Sequence, residues 1–309
     1  MRDLIIVGGG AAGLSAATYA LGKQMNVLVI YEELGGKAGR RQTLSGQVAE
    51  EFLSGAEAVR LFERQLATYA DRMINDSVVG VVKDSGIFRV ETRGHGIHES
   101  PTVIVATGAS PIALDVPGGR EFSGYGIGYS VATHAHLLAG KTVAVVGATV
   151  RSLRGVAELA RTATRVYLVA PDAQGLDTPY ARALRRYPHV EMLGGYQVQE
   201  VVGAQSVDQL VVAHGEEVRR LNVDAVFVDL GLRPNSEMVR QIGQTNQDGF
   251  IWVDDRNATT VPGLFAAGDV TTTFGEQILI AIGDGARAAL SAYDYLLAWL
   301  PSHQDLPAD

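Results

Sequence analysis

The chain has 309 residues, of which 47% are hydrophobic and 19% charged, so it is long enough for two folded domains and too apolar for a disordered protein. It contains no cysteine, which excludes disulfide scaffolds, thiolate nucleophiles and cysteine-ligated metal sites within this sequence. The formal charge of −8 argues against a general nucleic-acid or anionic-membrane binder. No uninterrupted apolar stretch reaches the roughly 18 residues of a membrane span, so we expect a cytoplasmic protein whose partners include neither membrane nor nucleic acid.

One pattern of strand, glycine turn, helix and strand occurs twice along the chain. The first copy comprises a strand at residues 4–7, a glycine turn ending at Gly13, a helix at 14–21 and a strand at 27–30. The second copy comprises a strand at 142–146, a turn at Gly147, a helix ending near Ala160 and a strand at 165–169. Each copy is a βαβ unit, which predicts a parallel sheet in each half of the chain.

Short runs in which apolar and polar residues alternate lie inside each half of the chain, and they predict antiparallel strands there. These runs are residues 77–82 and 87–92 in the first half, and 196–202, 209–213 and 219–221 in the second. Two buried-type strands, at 103–105 and 225–228, each run into a glycine and can return the chain from one domain to the next. A last helix is expected from about residue 283 to 297.

These elements predict an α/β fold with two Rossmann-like, three-layer nucleotide-binding domains. The first domain is split around the second, with boundaries at residues 1–112, 113–240 and 241–309.

The first glycine turn has the spacing Gly8-x-Gly10-x-x-Gly13 between a predicted strand and a predicted helix. In that context the first glycine makes the tight turn, the second lets the backbone approach a pyrophosphate, and the third allows close helix–strand packing. About twenty residues further on, Glu32 or Glu33 is placed to accept hydrogen bonds from ribose hydroxyls. The loop therefore predicts a dinucleotide site, and the alternative is a tight βα turn without a ligand.

These residues and several later motifs resemble the low-molecular-weight thioredoxin-reductase-like flavoproteins of the pyridine-nucleotide disulfide oxidoreductase superfamily. The resemblance covers nearly the whole chain through the first glycine loop, residues 105–110, 141–147, 231–235 and 265–269, Gln277, and residues 283–286. It implies that the first and last segments bind FAD and that residues from about 113 to 240 form a pyridine-nucleotide domain. It also implies a homodimer.

The resemblance implies FAD-binding roles along the whole first domain. Together with the two acidic residues, the implied residues are Gly8, Gly10, Ala11, Ala12, Gly13, Gly36, Lys37, Val82, Ala106, Thr107, Gly108, Gly268, Asp269, Gln277 and Ile278. Asp269 would hydrogen-bond the ribityl chain, while Gln277 and Ile278 would face the flavin ring. Lys37 stands where the family commonly has Gln, and its charge would favour an anionic reduced flavin.

The chain departs from the family where disulfide-reducing relatives carry a Cys-x-x-Cys-Asp segment. An ungapped placement puts Ser130, Thr133 and His134 there. Hydroxyls cannot cycle between dithiol and disulfide, so we expect that this chain cannot reduce thioredoxin by the family's route. His134 is a candidate proton donor beside the flavin, and the alternative is a structural histidine.

The second glycine loop departs as well, because the family's Gly-x-Gly-x-x-Ala has become Gly147-x-Thr149-x-x-Ser152. A β-branched residue at the middle position crowds the path of a pyrophosphate. The basic cluster that would grip a 2′-phosphate is also absent, which argues against NADPH binding in the family manner. Asp172 could accept a ribose 2′-hydroxyl, so NADH, a second flavin or another nucleotide remain alternatives.

Arg151 and Arg154 lie at the start of the helix that follows this second loop, where an anion would bind. The alternative is a solvated helix face on which they pair with Glu158.

The leading prediction is an FAD-dependent oxidoreductase in which the flavin exchanges electrons directly with a partner. That partner is a small redox protein such as ferredoxin or flavodoxin, or a small molecule. One alternative is a non-catalytic flavin-binding structural or sensory protein. Another is an electron conduit with a second flavin or nucleotide in the altered site. No metal site is predicted.

Overall fold

The structure is a computed structural model that describes residues 1–39, 43–44, 47–48 and 55–299. The described chain forms two compact units. The first unit holds residues 1–39, 55–110 and 233–299, and the second holds residues 111–232 with the short strands at 43–44 and 47–48.

The described helices and strands follow in chain order. The helices are α1 Ala11–Gly22, α2 Gly36–Gly39, α3 Gly55–Leu66, α4 Val131–His134, α5 Val150–Leu159, α6 Pro179–Leu184 and α7 Ile278–Trp299. The strands are β1 Leu4–Val7, β2 Val27–Tyr31, β3 Thr43–Leu44, β4 Gln47–Val48, β5 Met73–Asn75, β6 Val78–Asp84, β7 Ile87–Thr92, β8 Ile97–Ser100, β9 Thr102–Val105, β10 Ala109–Pro111, β11 Ile127–Gly128, β12 Thr142–Val146, β13 Arg165–Ala170, β14 Val190–Gly194, β15 Gln197–Gly203, β16 Val207–His214, β17 Glu217–Asn222, β18 Ala225–Val228, β19 Leu232–Pro234 and β20 Leu264–Ala266.

Each unit is built on a five-stranded parallel sheet, and the two sheets share one strand order. The first sheet runs β20-β9-β1-β2-β5 and the second runs β11-β18-β12-β13-β14, with every neighbouring pair parallel. Each βαβ unit therefore starts from the central strand, β1 in the first sheet and β12 in the second. The predicted duplication and α/β fold are confirmed.

Both faces of each parallel sheet are covered, which is why the central strands are apolar at every position. In β1, Leu4 and Ile6 pack on the side of α1 and α7, while Ile5 and Val7 pack on the side of the antiparallel sheet β6-β7-β8. In the second unit, Val143 of β12 faces a core shared with α5 and α6, and its neighbour in the strand faces the antiparallel sheet β15-β16-β17. Each unit is therefore a three-layer sandwich, as predicted.

The last helix begins earlier than the sequence indicated. We expected it from about residue 283, but α7 starts at Ile278, where the N–H of Ala281 already donates to the carbonyl of Gln277 at 3.0 Å. At Gly285, within this helix, the small residue serves close packing, because an added Cβ would lie 2.0 Å from the carbonyl oxygen of Ala12 in α1.

The chain returns to the first unit at Arg233, whereas the sequence placed the boundary after residue 240. The reason is a set of hydrogen bonds around Asn235. Its backbone N–H donates to the carbonyl of Gly108 at 2.9 Å, and its side-chain amide donates to the carbonyl of Thr107 at 2.9 Å. These bonds join residue 235 to the end of β9.

Within the described ranges, no helix combines the length and the apolar character needed to cross a membrane.

Candidate functional site

The first glycine loop joins β1 to α1, and backbone contacts leave no room for a side chain at two of its glycines. Gly8 has a φ of 119°, and a Cβ added there would lie 2.3 Å from the carbonyl oxygen of Ala106. A Cβ added at Gly13 would lie 1.9 Å from the carbonyl oxygen of Gly8. The packing of the loop therefore requires glycine at both positions.

Gly10 is different, because no contact with the described residues requires it. Its φ is −79°, and a Cβ added there would meet no described atom within 4 Å. As the N-cap of α1 it has no side chain to accept the N–H groups of the first turn, which belong to Ala11, Ala12 and Gly13. Open space over such a helix N-terminus fits the diphosphate of a dinucleotide such as FAD.

The carboxyl end of β2 lies beside this loop, because β1 and β2 are parallel neighbours. Glu32 and Glu33 follow β2 directly, and both are exposed. The N–H of Gly35 donates to the carbonyl of Gly9 at 2.8 Å, and a Cβ added at Gly36 would lie 3.2 Å from the Cα of Gly10. The structure thus brings the acidic pair and the start of α2 to the edge of the sheet where the loop lies.

The end of β9 forms another border of the loop. Ala106 is buried against Gly8, and Thr107 and Gly108 follow it. The hydroxyl of Thr107 donates to the carbonyl of Asn235, whose amide returns a hydrogen bond to the carbonyl of Thr107. These reciprocal bonds fix the segment that the resemblance places against the cofactor.

Asp269 reaches the same region from the last third of the chain, and it is paired. Its Oδ2 lies 2.7 Å from the Nζ of Lys37, which projects from α2. Gly268 has a φ of 74°, and a Cβ added there would lie 3.1 Å from the Cβ of Ala12. The turn that carries Asp269 therefore packs on the first turn of α1.

A buried carboxyl supports this turn from α7. Asp284 is 3% exposed, accepts a long hydrogen bond from the N–H of Gly268 at 3.4 Å, and pairs with Arg287 at 3.3 Å. Burial raises the pKa of Asp284, the Gly268 N–H and the Arg287 charge oppose that rise, and the nearby negative charge of Asp269 adds to it.

Three other predicted residues lie around the first unit. Gln277 is exposed directly ahead of α7, and Ile278 is the first residue of that helix, half-buried against the core. Val82 lies within β6 of the antiparallel sheet with 44% of its surface exposed. The fold adds no support for Val82, and its role stays a prediction.

The second glycine loop repeats the backbone of the first but not its open N-terminus. Gly147 has a φ of 131°, and a Cβ added there would lie 2.0 Å from the carbonyl oxygen of Asp229. Thr149, at the position of Gly10, is the N-cap of α5, and its hydroxyl oxygen accepts the N–H of Ser152 at 3.1 Å. The hydroxyl of Ser152 donates back to the carbonyl of Thr149 at 2.9 Å. A side chain thus occupies the place where a pyrophosphate would approach.

Arg151 pairs with a buried acid that the sequence did not indicate. Its Nε and one terminal nitrogen donate to the same Oδ1 of Asp229, at 3.0 and 2.7 Å. The Asp229 side chain is 6% exposed and the Arg151 side chain 33%. The ion pair therefore lies over the carboxyl ends of β12 and β18, where the second loop begins.

The other two residues proposed for a second nucleotide also have partners within the chain. The guanidinium of Arg154 lies over the ring of Tyr180, 5.8 Å from its centroid. Asp172 is exposed and caps a short 3-10 helix by accepting the N–H of Gln174 at 2.9 Å. Their roles toward a nucleotide stay predictions.

Comparison with known proteins decides the family, because the pattern of pyridine nucleotide-disulphide oxidoreductases matches residues 2–285. The chain belongs to this family. The predicted resemblance and the FAD cofactor are confirmed, and the family is one of flavin-dependent oxidoreductases that also use pyridine nucleotides.

Two curated relatives and one solved structure illustrate the likeness. NADH dehydrogenase of Bacillus subtilis (strain 168) is 33% identical over 299 residues, which are 96% of this chain and 58% of the relative. A component of the alkyl hydroperoxide reductase of Xanthomonas campestris pv. phaseoli is 33% identical over 303 residues, 96% of this chain and 57% of the relative. The crystal structure of thioredoxin reductase from Streptococcus pyogenes MGAS5005 superimposes with a TM-score of 0.84 at 27% identity, covering 96% of this chain and 99% of that one.

The chain thus spans less than three fifths of the curated relatives it matches. It covers nearly the whole length of the thioredoxin reductase.

Ser130 and Thr133, which the resemblance places at the family's dithiol, are two hydroxyl residues of the second unit. Ser130 Oγ and Thr133 Oγ1 lie 2.9 Å apart and share a hydrogen bond at the start of α4. His134 is only 4% exposed, with Nδ1 3.1 Å from the carbonyl oxygen of Ser130. The structure therefore brings the three predicted residues together, in an arrangement typical of a structural histidine, and the catalytic role of His134 stays a prediction.

Sequence reasoning assigned no role to three residues that shape these sites, namely Asp229, Asn235 and Asp284, although the last two lie in motifs that carry the resemblance. A signal existed for Asp229, because aligning the two buried strands that run into a glycine, by Gly108 and Gly231, sets it opposite Ala106. Nothing in the local sequence indicated that Asp284 would be buried. No group of three or more histidine, aspartate or glutamate side chains in the described ranges is placed to hold a metal ion.

Proposed function

We propose that this chain is an FAD-dependent oxidoreductase whose flavin exchanges electrons directly with a redox partner, without a thiol relay in this chain. NADPH is not its reductant in the family manner. The partner is a small redox protein such as ferredoxin or flavodoxin, or a small-molecule acceptor. FAD supplies the electron transfer, and the residues of the chain hold the cofactor and restrict which donor can reach it.

One observation carries this proposal, namely that the two glycine loops differ at their middle position. Gly10 leaves the N-terminus of α1 open, whereas the Thr149 hydroxyl already accepts an N–H in the first turn of α5. A dinucleotide pyrophosphate needs both the N–H groups and the space beside them. The first unit therefore suits a dinucleotide, and the second would have to displace its own cap to bind one.

The dithiol position supports the same proposal. A disulfide is reduced by thiolate attack and formation of a sulfur–sulfur bond, which the hydroxyls of Ser130 and Thr133 cannot perform. Electrons that reach the flavin must then leave it by a route other than a dithiol of this chain.

Anaerobic mixing of the FAD-loaded protein with separate donors tests the proposal. Flavin absorbance is recorded after addition of NADPH, NADH, reduced ferredoxin or reduced flavodoxin, with dithionite as the control that the flavin can be reduced. We expect reduction by one of the redox proteins and only slow bleaching by NADPH. Rapid, saturable bleaching by NADPH would contradict the proposal, and inertness to every donor but dithionite would favour a non-catalytic flavoprotein.

A further inference from the structure

Lys37 and Asp269 form an ion pair between two segments that are far apart in the sequence. The Lys37 side chain is 42% exposed and the Asp269 side chain 17%, and their charged atoms are 2.7 Å apart. Lys37 lies in α2, the helix that follows β2 along the chain, and Asp269 lies in the turn that follows β20.

Both members of the pair are anchored on the first glycine loop. Gly36, the residue before Lys37, lies close to Gly10, because a Cβ added at Gly36 would be 3.2 Å from the Cα of Gly10. Gly268, the residue before Asp269, lies close to Ala12, because a Cβ added at Gly268 would be 3.1 Å from the Cβ of Ala12. The ion pair therefore joins two segments that contact the N-cap and the first turn of α1.

Two acidic side chains lie beside this loop, and each is paired with a cation. Asp269 lies near a second acid, Asp284, and the negative charge of Asp269 contributes to the raised pKa of that buried carboxyl. Arg287 pairs with Asp284, and Lys37 pairs with Asp269. Without Lys37, one carboxylate beside the proposed diphosphate site would lose the described cation that pairs with it.

We propose that Lys37 makes the Asp269 carboxylate compatible with the negatively charged diphosphate of FAD. By neutralising Asp269, the ammonium group reduces the repulsion between this carboxylate and the cofactor diphosphate, and its positive charge also stabilises the negative charge of a reduced flavin. Lys37 is therefore a determinant of FAD affinity and of flavin potential. This inference rests on the proposed function, because it requires FAD in the first unit.

Three variants test the inference by the binding of FAD to the apoprotein, measured by quenching of flavin fluorescence at low and high salt. Lys37→Gln removes the charge, Lys37→Arg keeps it, and Lys23→Gln makes the same charge change at the other end of α1. That helix has 12 residues, so the control lies roughly 18 Å from the loop, beyond the Debye length at physiological salt.

We expect Lys37→Gln to raise the Kd for FAD about tenfold at low salt, as for loss of a charge-assisted contact, and by less at high salt, where the repulsion from Asp269 is screened. Lys37→Arg should restore most of the affinity, and Lys23→Gln should match the parent. The midpoint potential of the bound flavin should fall by about 30 mV in Lys37→Gln, which for a two-electron couple means that the affinity for reduced flavin falls tenfold more than that for oxidised flavin. A purely structural role of Lys37 would not move that potential.

The failure of this inference can be told from the failure of the proposed function. If the parent protein binds no FAD, the proposed function fails. If the parent binds FAD and Lys37→Gln behaves like Lys23→Gln in affinity and potential, the inference alone is overturned. Should Lys37→Gln not fold, Lys37→Ala removes the same charge and is measured in its place, and an FAD affinity and potential equal to those of Lys23→Gln would overturn the inference.

Discussion

The two glycine loops of this chain share a backbone and differ in what their side chains leave open. Both begin with a glycine in a positive-φ conformation that lies under a carbonyl oxygen, that of Ala106 for Gly8 and that of Asp229 for Gly147. After that glycine they diverge, because Gly10 is replaced by the capping residue Thr149 in the second loop.

This difference separates what the fold needs from what a ligand needs. The first glycine of each loop is required by packing, so it is retained in both units. The middle glycine is not required by packing in the first unit, since a Cβ at Gly10 would touch no described atom. A glycine that packing does not require is the better indicator of a ligand, and only the first loop has one at this position.

The largest expected effect is at Gly10. Gly10→Val should abolish FAD retention, raising its Kd more than about 100-fold, because the side chain would fill the space beside the α1 N-terminus. Gly22→Val, at the last residue of the same helix and equally free of contacts, should retain FAD. Flavin absorbance per purified chain measures both. Full occupancy in Gly10→Val would overturn the assignment of the first loop.

The next largest effect is expected when the second glycine loop is changed to resemble the first. Thr149→Gly combined with Ser152→Ala restores the family pattern and should speed flavin reduction by NADPH about tenfold, while loss of the cap to glycine costs only a few tenths of a kcal/mol. Thr178→Gly removes a comparable N-cap from α6, whose hydroxyl accepts the N–H of Ala181, and should not change the rate. Stopped-flow absorbance compares them, and equal rates in all three proteins would mean that the cap does not limit NADPH.

A third prediction concerns whether Arg151 serves the fold or a ligand. Arg151→Met leaves the buried carboxylate of Asp229 without the guanidinium described here and should lower the free energy of unfolding by about 2–3 kcal/mol. Arg165→Met removes the more exposed pair with Glu191 and should cost below about 1 kcal/mol. Denaturant unfolding measures both. An unchanged stability together with weaker nucleotide binding would instead assign Arg151 to a ligand.

The smallest effect is a pH dependence in the first unit. Burial raises the pKa of Asp284 above its usual 3.8, so the folded chain binds this proton more tightly than the unfolded chain does. The contribution of Asp284 therefore makes the free energy of unfolding fall as pH rises from 3.8 through the raised pKa. Asp284→Asn should remove that slope. Unfolding curves at several pH values measure it, and identical slopes in the parent and the variant would contradict the burial argument.

Much of the fold could be predicted from the sequence because its signals are local. The strands of both βαβ units are continuous apolar runs, and the antiparallel strands alternate, so period and glycine spacing identify them. The start of α7 was placed too late, at about residue 283 instead of Ile278. The glycine at 285 has its reason in the approach of Ala12 from a distant helix, which no local pattern records.

The candidate site was predictable in its residues and not in their pairing. Lys37 and Asp269 were each recognised from motifs, yet their ion pair depends on two segments 232 positions apart meeting at one loop. Likewise, Thr149 was identified as an obstacle by its shape, while its action as a cap follows from the distance to Ser152. The redox partner of the flavin could not be predicted from the sequence, because no local pattern of this chain specifies it.

The central claim is that the first unit takes a dinucleotide and the second does not take NADPH in the family manner. Equilibrium dialysis of the apoprotein against FAD, and of the FAD-loaded protein against NADPH, tests it most directly because it counts bound ligand independently of turnover. We predict one FAD per chain, lost in Gly10→Val, and no stoichiometric binding of NADPH. One NADPH bound per FAD-loaded chain, or FAD retained by Gly10→Val, would contradict the account.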